Sequence, residues 1–218
     1  MKNPAGVIAS VQSGDAESLR TQLAQDPSSS AAVNEQGVSA IMLALYHRKA
    51  DILQLLLAAK PDLDVFEASA TGNLHRLAQL LDAHPALLSS WSGDGFTALH
   101  FASFFAQEDA AQVLLKRGAD LAAVARNPMQ VMPLHSAVTG RNVPIVRALL
   151  ERGAPPNPRQ QGGWTPLHAA AQNGDPAMVR LLLDHGADRT LANDEGITAL
   201  DLARKSGFAE IVQLLSEP

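Results

Sequence analysis

The phrase Thr165-Pro166-Leu167-His168-Ala169-Ala170 is followed by Asn173-Gly174-Asp175, by Val179-Arg180-Leu181-Leu182-Leu183 and by Gly186-Ala187-Asp188. It returns as Thr198-Ala199-Leu200-Asp201-Leu202-Ala203 with Ile211-Val212-Gln213-Leu214-Leu215. Earlier copies read Met132-Pro133-Leu134-His135 with Gly153-Ala154, and Thr97-Ala98-Leu99-His100 with Gly118-Ala119-Asp120. Ser39-Ala40-Ile41-Met42 opens a weaker copy, and two more, centred on Val7 and Val65, lack the opening phrase. The equivalent apolar anchors are Val7, Ile41, Val65, Leu99, Leu134, Leu167 and Leu200; they lie 33 to 35 residues apart, except for 24 between Ile41 and Val65. A unit this short cannot bury its own apolar face, so neighbours must stack.

Within one unit, Thr165 suits the cap of a helix through its hydroxyl, and Pro166 suits the first helical position, where its missing N–H would be unpaired anyway. Leu167, Ala170 and Ala171 make a face of small residues that allows close packing. Gly174 supplies the left-handed conformation that ends the helix. Val179, Leu182 and Leu183 follow helical spacing on a second, antiparallel helix that Gly186 ends, and Gly162-Gly163 belong to the turn between units.

Phrase and period together resemble the ankyrin repeat, over nearly the whole chain. The resemblance implies an all-α solenoid of stacked antiparallel helix pairs with short β-hairpin-like finger loops, in one domain over 1–218. Its units are expected at about 1–33 as a cap, 34–64 with a shortened finger, 65–91, 92–124, 125–158, 159–191, and 192–218 as the second cap. Glu210, Gln213, Ser216 and Glu217 give the last helix the polar outer face of a terminal unit. No room is left for a separate catalytic domain. The short interval places Leu57–Asp64 almost directly against the helix at Val65; Pro61 then marks a seam behind two added units, or the gap is a truncation without mechanical consequence. In the fifth unit Met132 replaces the capping threonine, at a cost of about 1 kcal/mol. Arg141 stands in place of glycine there, and a distorted helix end is expected.

A hydrophobic fraction of 46% with 18% charged residues predicts a packed core rather than disorder. Seventeen basic against twenty-two acidic residues, a net charge of -5, disfavour nucleic acid as a partner. The absence of cysteine removes disulfides, thiolate nucleophiles and Cys-type zinc sites. The richest apolar stretch, Ile52 to Ala59, falls far short of the roughly 20 residues that span a bilayer, and Met1 to Gly6 does not read as a secretory signal. A cytoplasmic protein with no membrane contact is expected. His100, His135 and His168 recur once per unit; the resemblance makes them structural, bonding the threonine at the helix start and the adjoining loop. Stacking sets these rings about 10 Å apart, too far to share one zinc. His47, His75, His84 and His185 are read as solvated. No GxxxxGK, GxGxxG, GxSxG or HExxH pattern occurs, so no catalysis, cofactor or metal is implied.

The aromatics are unevenly placed: four of the six Phe fall between residues 96 and 105. In proteins resembling this one, partner contacts come from the residue before the capping position and from the two residues before the glycine that ends the first helix. Carried onto this chain, those places include Phe96 and Trp164 on fingers, and Tyr46, Phe104, Phe105 and Gln172 at helix ends. Arg126, Met129 and Gln130 on one finger tip, with Arg159 and Gln161 on the next, complete the expected partner-binding set, the two arginines as polar steering groups. The rival reading packs some of these rings against the adjacent unit, as is expected of Phe101. The function expected is non-catalytic binding of a protein through the groove between fingers and first helices, by a monomer. Alternatives are a self-associating structural or stress-related accessory protein, with the aromatic patch making a homodimer, and an unfamiliar enzyme or metal-binding protein using the histidines.

Overall fold

The computed structural model describes residues 4–60 and 62–216. The readings placed on residues 1–3, on Pro61 as a seam and on Glu217 as part of a polar face lie outside them. Among the described residues, fourteen helices form seven hairpins. The first three are α1 (Pro4–Ser13) with α2 (Ala16–Gln25), α3 (Ala40–Tyr46) with α4 (Ala50–Ala59), and α5 (Val65–Thr71) with α6 (Leu74–Ala83). Next come α7 (Ala98–Phe104) with α8 (Glu108–Lys116), and α9 (Pro133–Thr139) with α10 (Val143–Glu151). The last two are α11 (Pro166–Gln172) with α12 (Pro176–Asp184), and α13 (Ala199–Ser206) with α14 (Ala209–Ser216). First helices stack on first helices and second on second, giving an all-α solenoid of two layers. The fingers between hairpins contribute two isolated bridges, Val33 with Ser39 and Ala192 with Thr198, and no sheet among the described residues. No helix among them is long and apolar enough to cross a membrane.

The core lies between the layers, and it is continuous from Val7 to Leu215. Six of the seven repeated anchors are buried, from Val7 to Leu167. Leu200 is only half-buried, because α13 is covered on one side alone, by α11. Glu210, Gln213 and Ser216 are exposed on α14.

Each first helix ends in a left-handed residue. Glycine fills that place in four hairpins, as at Gly174 (φ 69°), but Arg48, Ala106 and Arg141 adopt it in the others with φ of 52°, 56° and 55°. The expected distortion at Arg141 is therefore absent: α9 has the same seven residues as α7 and α11. The turn is imposed by the two helices it joins, and the non-glycine residue bears a strain of roughly 1–2 kcal/mol.

The second and third hairpins meet differently from all the others. Residues 60–64 alone link α4 to α5, so the third hairpin has no finger, as the short interval predicts. Here α4 and α6 barely touch, and α3 packs on α5 less than any other neighbouring first helices pack. Side chains close the joint instead. Asp64 caps α5 by accepting from the backbone N–H groups of Phe66 and Glu67 (2.9 and 2.8 Å), while Glu67 accepts from the Asp64 N–H at 3.0 Å. Lys60 Nζ, at the end of α4, donates to both oxygens of Glu67 at 2.7 Å. Glu67 is fully buried, while Lys60 keeps part of its side chain exposed.

With the third finger missing, the second and fourth fingers come together: a Cβ placed on Gly93 would lie 2.9 Å from the Gly37 carbonyl oxygen. The gap beneath them is filled by Met42, Ala70 and Phe101, with Tyr46, Phe66, Phe96 and Phe105 packed around them.

Removing one member of a buried pair leaves the other charge uncompensated, which costs about 3–5 kcal/mol. Lys60→Ala, which leaves the buried Glu67 carboxylate without its cation, is expected to lower unfolding stability by about 3 kcal/mol in urea. A loss below about 1 kcal/mol would show that the joint holds without the ion pair.

Candidate binding groove

The groove lies on the concave side, between fingers and first helices, with a volume of about 720 Å³. Its walls come from three successive fingers, at Asp94 and Phe96, at Asn127, Pro128, Met129 and Val131, and at Gln160. Its floor is α7, through His100, Phe101 and Phe104, and α9, through His135, Ser136 and Thr139. Tyr46, from the end of α3, closes one end.

Backbone hydrogen bonds tie these fingers together. Arg126 N–H donates to the Gly95 carbonyl at 2.8 Å, Gln161 N–H to Met129 at 3.0 Å, and Asp194 N–H to Gly162 at 3.0 Å. Asn127 Nδ2 adds a bond to the Asp94 carbonyl at 2.8 Å. The fingers are thus a preformed wall, which lowers the ordering cost of binding.

The recurring histidines join each finger to the helix behind it. His100 Nε2 donates to the Val131 carbonyl at 3.1 Å, His135 Nε2 to Trp164 at 3.3 Å, and His168 Nε2 to Ile197 at 3.0 Å. With Nε2 carrying the proton, Nδ1 accepts, from the backbone N–H of Thr97, Met132 and Thr165 at 3.1 to 3.2 Å. The hydroxyls of Thr97 and Thr165 donate to the same nitrogens at 2.8 and 2.7 Å. Met132 lacks that hydroxyl, yet the ring keeps its two backbone partners. Ser39 and Thr198, whose helices lack the histidine, accept instead from the backbone N–H groups of Met42 and Asp201. Burial holds His100 and His135 down from the usual 6.5 to about 4, and lowers His168 as well. All three rings are accordingly neutral near pH 7.

The expected binding residues divide by place. Tyr46, Phe96, Phe104 and Met129 line the groove together. Phe104 and Met129 are the most open of these, at 39% and 46% exposure. Phe96 is half-buried, edge-on to Phe101 at 5.6 Å between centroids. Phe105, also half-buried, lies outside the lining and packs on Tyr46 at 5.7 Å and Phe104 at 5.0 Å. Phe101, expected to be packed, is 2% exposed. The arginines do not reach into the groove. Arg126 lies over Trp91, its guanidinium carbon 4.4 Å from the ring centroid. Arg159 donates to the Ala192 carbonyl at 3.1 Å and to Asp194 at 3.2 Å. Gln130, Gln161 and Gln172 are exposed beyond the lining, and Trp164 is half-buried against His168 at 5.7 Å. Of the histidines read as solvated, His47, His75 and His84 are exposed. His185 is instead half-buried, its Nδ1 donating to the Leu181 carbonyl at 2.9 Å.

Sequence reasoning missed Asp94. Its Oδ2 accepts from the Tyr46 hydroxyl at 2.7 Å, and its Oδ1 from Ser92 Oγ at 2.6 Å. Burial and the Asp94 charge push the Tyr46 hydroxyl well above its ordinary range, so it stays protonated and donates. The only signal was indirect: the missing finger brings residue 46 within reach of residue 94. Among the described residues no three His, Asp or Glu side chains cluster as metal ligands would.

A family model described as "Ankyrin repeats (3 copies)" matches residues 65–160 and 134–218. No curated protein matches the chain.

The neutral rings give stability a pH dependence whose sign is fixed. Between about pH 4 and 6.5 the unfolded chain carries more imidazole protons than the folded one, so stability is complete above that window and falls as pH drops through it. His100 and His135 contribute on the order of 3 kcal/mol each. Asp64, raised by burial and by the Glu67 charge, opposes this as a single smaller effect. The urea midpoint is expected to fall clearly on acidification across this window; an unchanged midpoint would contradict the neutral, doubly bonded rings.

Proposed function

The chain belongs to the ankyrin-repeat family, and from that membership we propose that it is a protein-binding module whose partner lies in the groove between the fingers and α7 and α9. Repeats of this family generally mediate protein–protein interaction and are typically non-catalytic. The observation that carries the reading is the groove itself: about 720 Å³, lined mainly by apolar side chains, with Phe104 and Met129 left exposed where a merely soluble surface would be polar. Aromatic and methionine side chains at the centre of a rigid concave surface have the character of interface anchors. Tyr46 and Phe96 extend the patch. Gln130, Gln161, Trp164 and Gln172 flank it, where they add contacts at the rim.

Truncating exposed side chains costs the fold little, usually within about 0.5 kcal/mol. The double variant Phe104→Ala, Met129→Ala gives up the ring contact of Phe104 with Phe105 and is expected to stay folded with a modestly lowered thermal midpoint. Immobilised beside the wild type in an extract of the source cells, it is expected to lose the bound protein. Equal capture by both would move the interface away from this groove. Phe105 is left unchanged because it supports Tyr46 from behind.

A further inference from the structure

We infer that the groove takes an extended peptide segment in which a lysine or arginine stands beside a bulky apolar residue. The apolar side chain lies against Phe96, Phe104 and Met129, and the cation meets Asp94 and the Tyr46 ring. The inference rests on the groove reading above and adds the chemistry of what enters.

Charge is the first argument. Asp94 is the one acidic side chain in the lining, and the two imidazoles there are neutral with their N–H groups engaged by backbone carbonyls. Both donors to its carboxylate, Ser92 Oγ and the Tyr46 hydroxyl, are neutral, so the charge is unbalanced, and each oxygen has room for a second donor. No ion pair joins Asp94 among the described residues. The nearest candidate on the same wall, Arg126, rests on Trp91 instead. A single carboxylate at the edge of an apolar concavity acts through a low dielectric, and the net charge of -5 adds to its sign. Aromatic faces beside it also attract cations.

Shape is the second argument. Three fingers and the helices behind them span roughly 20 Å at ordinary helix-packing distances, which matches about six residues of extended chain. Thr139 and Gln160, at separate points along that length, offer donors and acceptors for a peptide backbone.

A displayed library of random linear peptides panned on the full chain tests this, with Asp94→Asn and Phe104→Ala panned in parallel. The wild type is expected to enrich peptides with Lys or Arg within two positions of a large apolar residue. A synthetic copy of such a peptide is expected to bind about tenfold more weakly when its basic residue is replaced by glutamine, as loss of one charge-assisted bond requires. Asp94→Asn is expected to enrich apolar peptides without the basic residue. The peptide substitution needs no variant protein, so it decides the matter even where Asp94→Asn disturbs Tyr46. Peptides that bind through Phe104 but carry no basic bias would overturn the charge assignment and leave the groove standing. Peptides indifferent to Phe104→Ala would overturn the groove reading as well, and so would a failure to enrich any.

Discussion

A neutral imidazole, buried between two hairpins, is the contact on which the central part of this array depends. Each ring accepts a backbone N–H from its own helix start at Nδ1 and gives its single N–H, at Nε2, to the last carbonyl of the following finger. Two polar backbone groups that burial would otherwise leave unpaired are thus satisfied by one side chain. The finger, held at that point, lies in register to bond to its neighbour, as Arg126 does to Gly95. The groove wall follows from this chain of constraints, and so does its chemistry, because a ring used in this way cannot serve as a ligand or a base.

The missing third finger has shaped the other half of the site. Where it would have stood, the second and fourth fingers close together and aromatic side chains fill the space below. The cluster of phenylalanines between residues 96 and 105 is therefore not one device. Phe101 is core, Phe96 and Phe105 support, and Phe104 faces outward. The same closure carries Tyr46 to Asp94, two residues that a full finger would hold apart, and so puts the only lining charge in place.

Most of the fold was legible in the sequence because it repeats: a period of about 33 writes the same anchors, caps and turns several times over, and each copy corroborates the rest. The shortened interval was legible for the same reason, as a break in that period. What fills the break was not. Lys60 with Glu67, and Tyr46 with Asp94, are single long-range pairings that leave no periodic trace. The arginines at 126 and 159 stood at finger tips, where spacing alone could not show that Trp91 and Asp194 engage them. Arg141 was read against a glycine preference, yet Arg48 and Ala106 take the same backbone turn; packing of the two helices overrides local preference there.

The joint between the second and third hairpins differs from its neighbours in kind. At this joint α4 and α6 barely meet, and an ion pair and a helix cap supplement the apolar contacts that α3, α5 and α7 make through Met42, Ala70 and Phe101. Hydrogen-bonded contacts hold only within a narrow range of distance and angle, whereas apolar layers have no directional requirement. Under tension between its ends, parting at this joint would carry Tyr46 away with the first two hairpins and open the groove at Asp94.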